Sequence, residues 1–280
     1  AYWALVGQVI SACALLIGTR VLTELVSPEV YGQVALLNGF VALGVTLFSY
    51  PFICAGMRIM PECQHLNEQA ALYVEINNLL RRSLVLAIRL LALCGGIYRY
   101  FSDVDAVLLI LIGALLTVTV QREQGIQLLI GNRKQRAASL WQTSDSFLRP
   151  TLAIALVLWG GQKPEWVLLG YILASLLTNS VGLFFHKSTS NFKVKTTNRK
   201  FKAEIWTYAL PLIPMELLFW INGLGDRYII GYFMTAAEVG LYAATYLIIN
   251  EAFNRSAMVL LRTFQPAFFQ AYSQSQSKEA

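Results

Sequence analysis

Charge is scarce in this sequence. Asp, Glu, Lys and Arg together make up 14% of its 280 residues, where a soluble domain carries roughly 25%. Histidine occurs only at His65 and His186, and neither stands with Cys, Asp or Glu at a metal-ligating spacing. No Gly-rich loop follows a strand. The chemistry of an enzyme is therefore not legible here, and neither a metal nor a cofactor is expected. The four cysteines lack paired spacing: Cys13, Cys54 and Cys94 fall inside apolar segments and Cys63 just after one. They read as small apolar packing residues rather than as a disulfide framework.

Long apolar runs are what the sequence does have. Its apolar share is 56% and its mean hydropathy +0.53, the composition of a membrane protein. Eight segments approach or exceed spanning length, at 2–26, 31–60, 79–98, 104–120, 140–159, 166–185, 205–232 and 239–261. Helix is the state they must take, because backbone polar groups in hydrocarbon have to be satisfied internally and no period-two alternation of a barrel strand is present. The fold class predicted is all-α, a polytopic transmembrane helical bundle. The fifth segment is interrupted by Asp145, Arg149 and Pro150, leaving 151–159 as its uninterrupted run. The first has no basic n-region and no cleavage site, so it is not a removable signal peptide. With no initiator Met and an end shortly after the eighth segment, the sequence reads as a fragment.

Basic residues orient the segments. Thirteen Lys and Arg flank the connections after even-numbered spans, and only Arg99 and Lys163 those after odd-numbered ones. That asymmetry places the N-terminus and the long connections in the cytoplasm. Residues 187–202 form a basic cytoplasmic linker without an acidic residue, which divides an N-terminal six-helix bundle, 1–186, from the start of a second bundle, 203–280, with two helices. The linker is either a topology-setting loop or a patch for anionic headgroups. Between Pro61 and Asn78, alternating polar and apolar residues predict an amphipathic helix lying along the interface before the third span. The net charge of +6 does not point to nucleic acid, because it is placed in these loops.

The segment from Tyr208 to Leu247 has an earlier echo. Gly18-Thr19-Arg20 precedes Ser27-Pro28-Glu29 and Val30-Tyr31-Gly32, as Gly225-Asp226-Arg227 precedes Val239-Gly240-Leu241-Tyr242. One insertion superimposes the two hairpins at an offset of about 207 positions. Repeated halves with a site between them are a transporter's signature, and a pseudo-two-fold axis along the membrane normal is predicted to relate the first and seventh helices across a cleft.

Ionisable residues inside the spans mark candidates for that site. A charge at the bilayer centre costs about 2.5–3.5 kcal/mol on insertion scales, so such groups usually face water or one another. The first span holds Arg20 and Glu24, the third Arg89, the fifth Asp145 and Arg149, the seventh Glu216, Asp226 and Arg227, the eighth Glu251, Arg255 and Arg262. Asp145 and Arg149, four apart, read as a structural ion pair. Arg20 and Arg227 either line a cavity or snorkel to the headgroups. Arg89 and Glu216 have no partner near in sequence, and Glu216 follows Pro214 where a freed carbonyl can help shape a cavity. The candidate substrate-binding set is Arg20, Arg89, Glu216, Asp226, Arg227 and Arg255. The fourth and sixth spans, whose one charge is Asp105 at the start of the fourth, read as outer, lipid-facing helices.

These residues resemble a family. The runs Arg20-Val21-Leu22, Ser27 to Gly32, Gly131-Asn132-Arg133, Ala209-Leu210-Pro211-Leu212, Asp226 to Gly231 and Val239 to Tyr242 are similar to those of the polysaccharide-biosynthesis flippases of the multidrug/oligosaccharidyl-lipid/polysaccharide superfamily. The resemblance implies a bundle of twelve to fourteen helices in two halves, of which about eight are present here. It implies a lipid-linked oligosaccharide substrate, polyprenyl pyrophosphate as its carrier, and passage from the cytoplasmic to the outer leaflet of the bacterial inner membrane by alternating access. Implied partners are membrane lipids, a glycan polymerase and a chain-length regulator. Arginine suits a pyrophosphate by its permanent charge and bidentate geometry. Two other readings stand beside this one: an organic-cation antiporter of the same superfamily, using Glu216, Asp226 and Glu251, and a membrane-embedded glycan polymerase, which would call for a long outward loop.

Overall fold

The structure, a computed structural model, describes residues 2–60, 63, 66–101, 105–131, 134–186, 199–250 and 253. Among them are nine helices and no strand. They are α1 (Tyr2–Leu25), α2 (Pro28–Phe48), α3 (Tyr50–Ile59), α4 (Leu66–Phe101), α5 (Ala106–Gly131), α6 (Gln135–Gly160), α7 (Pro164–His186), α8 (Arg199–Phe233) and α9 over 236–250. The all-α bundle predicted from hydropathy is what forms. Among the described residues, α2 and α5 are long and apolar enough by themselves to cross a membrane.

The second apolar segment is not one helix. It breaks at Ser49, whose backbone leaves the helical region at φ −131° and ψ −45°. Pro51 explains the break, since it has no N–H to donate and its ring would clash with the carbonyl four residues back. Ser83 of α4 donates its hydroxyl to the Phe48 carbonyl at the break. The third segment also differs from expectation. Instead of a separate interfacial helix, residues from Leu66 onward join the span in one 36-residue helix, α4, with no proline to interrupt it. At 1.5 Å per residue it is about 54 Å long. Its first half buries Leu72, Ile76, Leu79 and Leu80 against Phe52 and Ile59 of α3 and Ile205 and Ala209 of α8, so packing rather than an interface holds it.

The fourth segment, uncharged after Asp105, is not peripheral. It forms α5, which touches α2, α3, α4, α6 and α7 and buries Ile112, Leu115, Leu116, Val118 and Val120. Absence of charge fits a core as well as it fits lipid. On α7, Leu173, Leu176 and Leu177 are exposed, while Val167, Leu168 and Thr178 are buried. This helix packs on α5 and α6, so it is outer on one face only. α1 lies along α6 through Gly7, Ser11 and Gly18, with the Ser11 and Thr143 hydroxyls 3.1 Å apart and Gly18 against the Pro150 ring. Small residues at such spacing let two helices approach closely.

α8 keeps its helical path through Pro211 and Pro214 and packs on both halves of the broken segment. Trp206 meets Phe52 edge-on at 5.1 Å. Higher up, the Trp220 indole donates to the Gly39 carbonyl at 2.9 Å, and the Tyr228 hydroxyl to the Leu36 carbonyl at 2.7 Å. Each such bond contributes little inside a membrane protein, about 0.6 kcal/mol on average. Trp220→Phe is accordingly expected to lower unfolding free energy in detergent by that order, and an unchanged value would mean that the bond is not formed.

The two hairpins meet. Ser27 caps α2, its hydroxyl accepting from the Val30 N–H at 3.4 Å; at the start of α9 the Glu238 carboxylate accepts from the Thr235 N–H at 2.6 Å and its hydroxyl at 2.7 Å. Directly behind these caps α2 and α9 cross. A methyl group at Gly32 would fall on the Ala236 carbonyl, and one at Gly240 on the Pro28 carbonyl. Gly32 and Gly240, Pro28 and Ala236, and Ser27 and Thr235 are each 208 positions apart. Residue and counterpart thus exchange contacts as across a two-fold axis.

Candidate functional site

Around that crossing the structure gathers aromatic side chains on one guanidinium. Arg227 lies on α8, half-buried, with its guanidinium over the Tyr246 ring at 5.8 Å to the centroid. Tyr31, Tyr228 and Tyr242 all lie within its electrostatic reach. Tyr242 and Tyr246, one turn apart on α9, stack at 5.6 Å with their planes 23° apart, and Trp220 sits 5.2 Å from Tyr228. Asp226 forms no ion pair with its neighbour. One of its oxygens accepts from the Arg227 N–H at 2.8 Å, and the other accepts the Tyr242 hydroxyl. Among the described residues Arg227 forms no ion pair with a carboxylate, and its buried Nε has no hydrogen-bond partner. The Tyr246 face attracts the cation without cancelling its charge.

A second polar group lies within the first seven segments. Asp145 of α6, buried, ion-pairs with Arg149 at 3.0 Å and accepts a hydrogen bond from Arg122 of α5. Thr178 of α7 donates to its other oxygen at 3.3 Å. Arg122 also pairs with Glu123 at 2.6 Å, and Arg149 donates to Ser175 at 3.2 Å and lies 5.8 Å from the Tyr171 ring centroid. Two arginines and two carboxylates here balance each other. The pairing of Asp145 with Arg149 is as expected; Arg122, Glu123, Ser175 and Thr178 are additions that the sequence reading did not make.

The remaining candidates are spread out. Arg20 is exposed and ion-paired to Glu24 at 2.8 Å. Arg89 is exposed on α4. Glu216 is half-buried, within electrostatic reach of Tyr50 and Cys54 on α3. No hydrogen bond, ion pair or ring contact joins any of these three to Arg227 among the described residues. Arg255, like Glu251 and Arg262, lies outside the described residues. No group of three or more His, Cys, Asp or Glu able to hold a metal occurs among the described residues.

Residues 1–271 match the family described as polysaccharide biosynthesis protein. The chain belongs to that family. No curated protein and no solved structure matches it. Family membership together with the apolar helices makes this a membrane protein of polysaccharide biosynthesis, in a family whose members are generally transporters rather than enzymes.

Proposed function

We propose that this polysaccharide biosynthesis protein is a multi-pass flippase of the bacterial inner membrane. It carries oligosaccharide linked to polyprenyl pyrophosphate from the cytoplasmic to the outer leaflet by alternating access. The observation that carries the reading is Arg227: a guanidinium without an ion-pair partner among the described residues, over the Tyr246 ring and within electrostatic reach of Tyr31, Tyr228 and Tyr242. A pyrophosphate brings at least two negative charges into the membrane interior, and a fixed bidentate cation offsets that cost. The domain plan that fits is a first bundle over 1–186 and a second unit over 203–280, with the repeat hairpins crossing between them.

The test is flipping of a pyrophosphate-linked glycolipid in vesicles containing the full chain. Arg227→Ala is expected to cut the rate about tenfold with insertion unchanged, the order of one charge-assisted hydrogen bond. Arg227→Lys should recover part of it, keeping charge but losing the fork. A normal rate in Arg227→Ala would end the assignment of this residue. Export of an organic cation that survives Arg227→Ala and fails in Glu216→Gln would favour an antiporter instead.

A further inference from the structure

Arg82 and Arg89 have no part in either polar group. On α4, Leu84, Ala87 and Leu91 pack into the core shared with α2 and α5, and Gly95 lies against Leu109 of α5. At 100° per residue, Arg82 and Arg89 fall within about 20° of each other, and about 160° around the helix from Leu84 and Leu91 respectively. Both are exposed, and neither makes a hydrogen bond, ion pair or ring contact among the described residues. What surrounds them on that face is apolar and also exposed: Val85, Leu86 and Leu93. Such a face matches hydrocarbon, not a hydrated cavity.

Depth and direction complete the geometry. Arg82 stands where Asn77, Asn78 and Arg81 give way to the apolar run, and Arg89 lies seven residues, about 10 Å, further along the helix. Helical side chains lean toward the N-terminus, so the long Arg89 stem runs back toward Arg82 and its head reaches the polar boundary. The two guanidiniums thus stand on one face of α4, about 10 Å apart along its axis, with no carboxylate of the helix between them. A phosphodiester supplies the single charge and the oxygens that such forks take.

We propose that Arg82 and Arg89 form a binding site for the headgroup phosphate of an anionic phospholipid, seated on the outward face of α4 in the leaflet at its N-terminal side. The site rests on the reading that α4 crosses the membrane. It is separate from the Arg227 site, being on another helix and lined by aliphatic side chains rather than tyrosines. Its occupant is a bulk lipid.

The full chain in detergent is titrated with phosphatidylglycerol, phosphatidylcholine or polyprenyl pyrophosphate, and bound lipid is counted by native mass spectrometry. Phosphatidylglycerol should be retained in preference to phosphatidylcholine, and Arg82→Gln and Arg89→Gln should each weaken that retention about fivefold. Arg89→Lys should keep most of it, which guards against a protein that merely misfolds. Equal retention by the wild type and the double Gln variant would overturn the site. So would loss of polyprenyl pyrophosphate, with phosphatidylglycerol kept, in Arg89→Gln; that result would move Arg89 to the substrate path and leave the flippase reading standing. Failure of that reading shows elsewhere, as polyprenyl pyrophosphate binding that is indifferent to Arg227→Ala.

Discussion

Gly32→Leu is expected to unfold the seam between the two hairpins. The new Cβ would coincide with the Ala236 carbonyl oxygen and crowd the Gly240 N–H, both backbone atoms that no rotamer change can move. Overpacking ordinarily costs about 1–3 kcal/mol, and a collision with backbone belongs at or above the top of that range. Gly240→Leu meets the Pro28 carbonyl in the same way. The two costs should not add, because once the helices have separated for one side chain they have separated for the other. Gly96→Leu is the control, since nothing lies within 4 Å of its Cβ position, and it should change stability little. Unfolding of the purified chain in detergent reads all four proteins. Gly32→Leu as stable as Gly96→Leu would show that α2 and α9 do not cross there.

The other large effect is expected at Asp145. Its carboxylate takes both Arg122 and Arg149, whose side chains are 14% and 20% exposed, and it is itself 8% exposed. Asp145→Asn keeps the volume and leaves two guanidiniums facing each other with only Glu123 to offset one of them. Removing one partner from a buried pair costs about 3–5 kcal/mol. Asp145→Asn with Arg149→Gln removes one charge of each sign and should recover at least half of that loss. An Asp145→Asn protein as stable as wild type would mean that water, not Asp145, solvates these arginines.

Why the sequence disclosed some of this and not the rest can be argued residue by residue. The helices were legible because hydrocarbon permits little else. Gly32 and Gly240 were legible as a repeat, though not as a contact: sequence similarity says that two places are alike, and only packing says that they touch. The break at Ser49 has a signal in Pro51, but an apolar run of thirty residues reads as one span. In the sequence Arg122 is one of the thirteen basic residues that flank the connections after even-numbered spans, and nothing near it marks it as a partner of Asp145. Yet α5 ends at Gly131 and α6 begins at Gln135, and residues 122 and 145 lie nine and ten positions from those ends, which places them level on adjoining helices. For Arg20 and Arg227 the repeat misled in part. They align in sequence once one insertion is allowed, but Arg20 is answered by Glu24 one turn away, whereas Asp226 adjoins Arg227 and is held by Tyr242.

The seam also has an order in time. Leu36 and Gly39 are synthesised about 180 residues before Trp220 and Tyr228 reach them, and the intervening chain includes all of α3 through α7. Nothing is lost in waiting, because these two carbonyls lie inside α2, bonded within the helix, and offer only a second lone pair. The obligation runs the other way. An indole N–H and a phenol hydroxyl arriving in hydrocarbon need an acceptor at once, and α2 already presents both, three residues apart, when α8 enters. The early helix is a finished template, and the late one is completed by it.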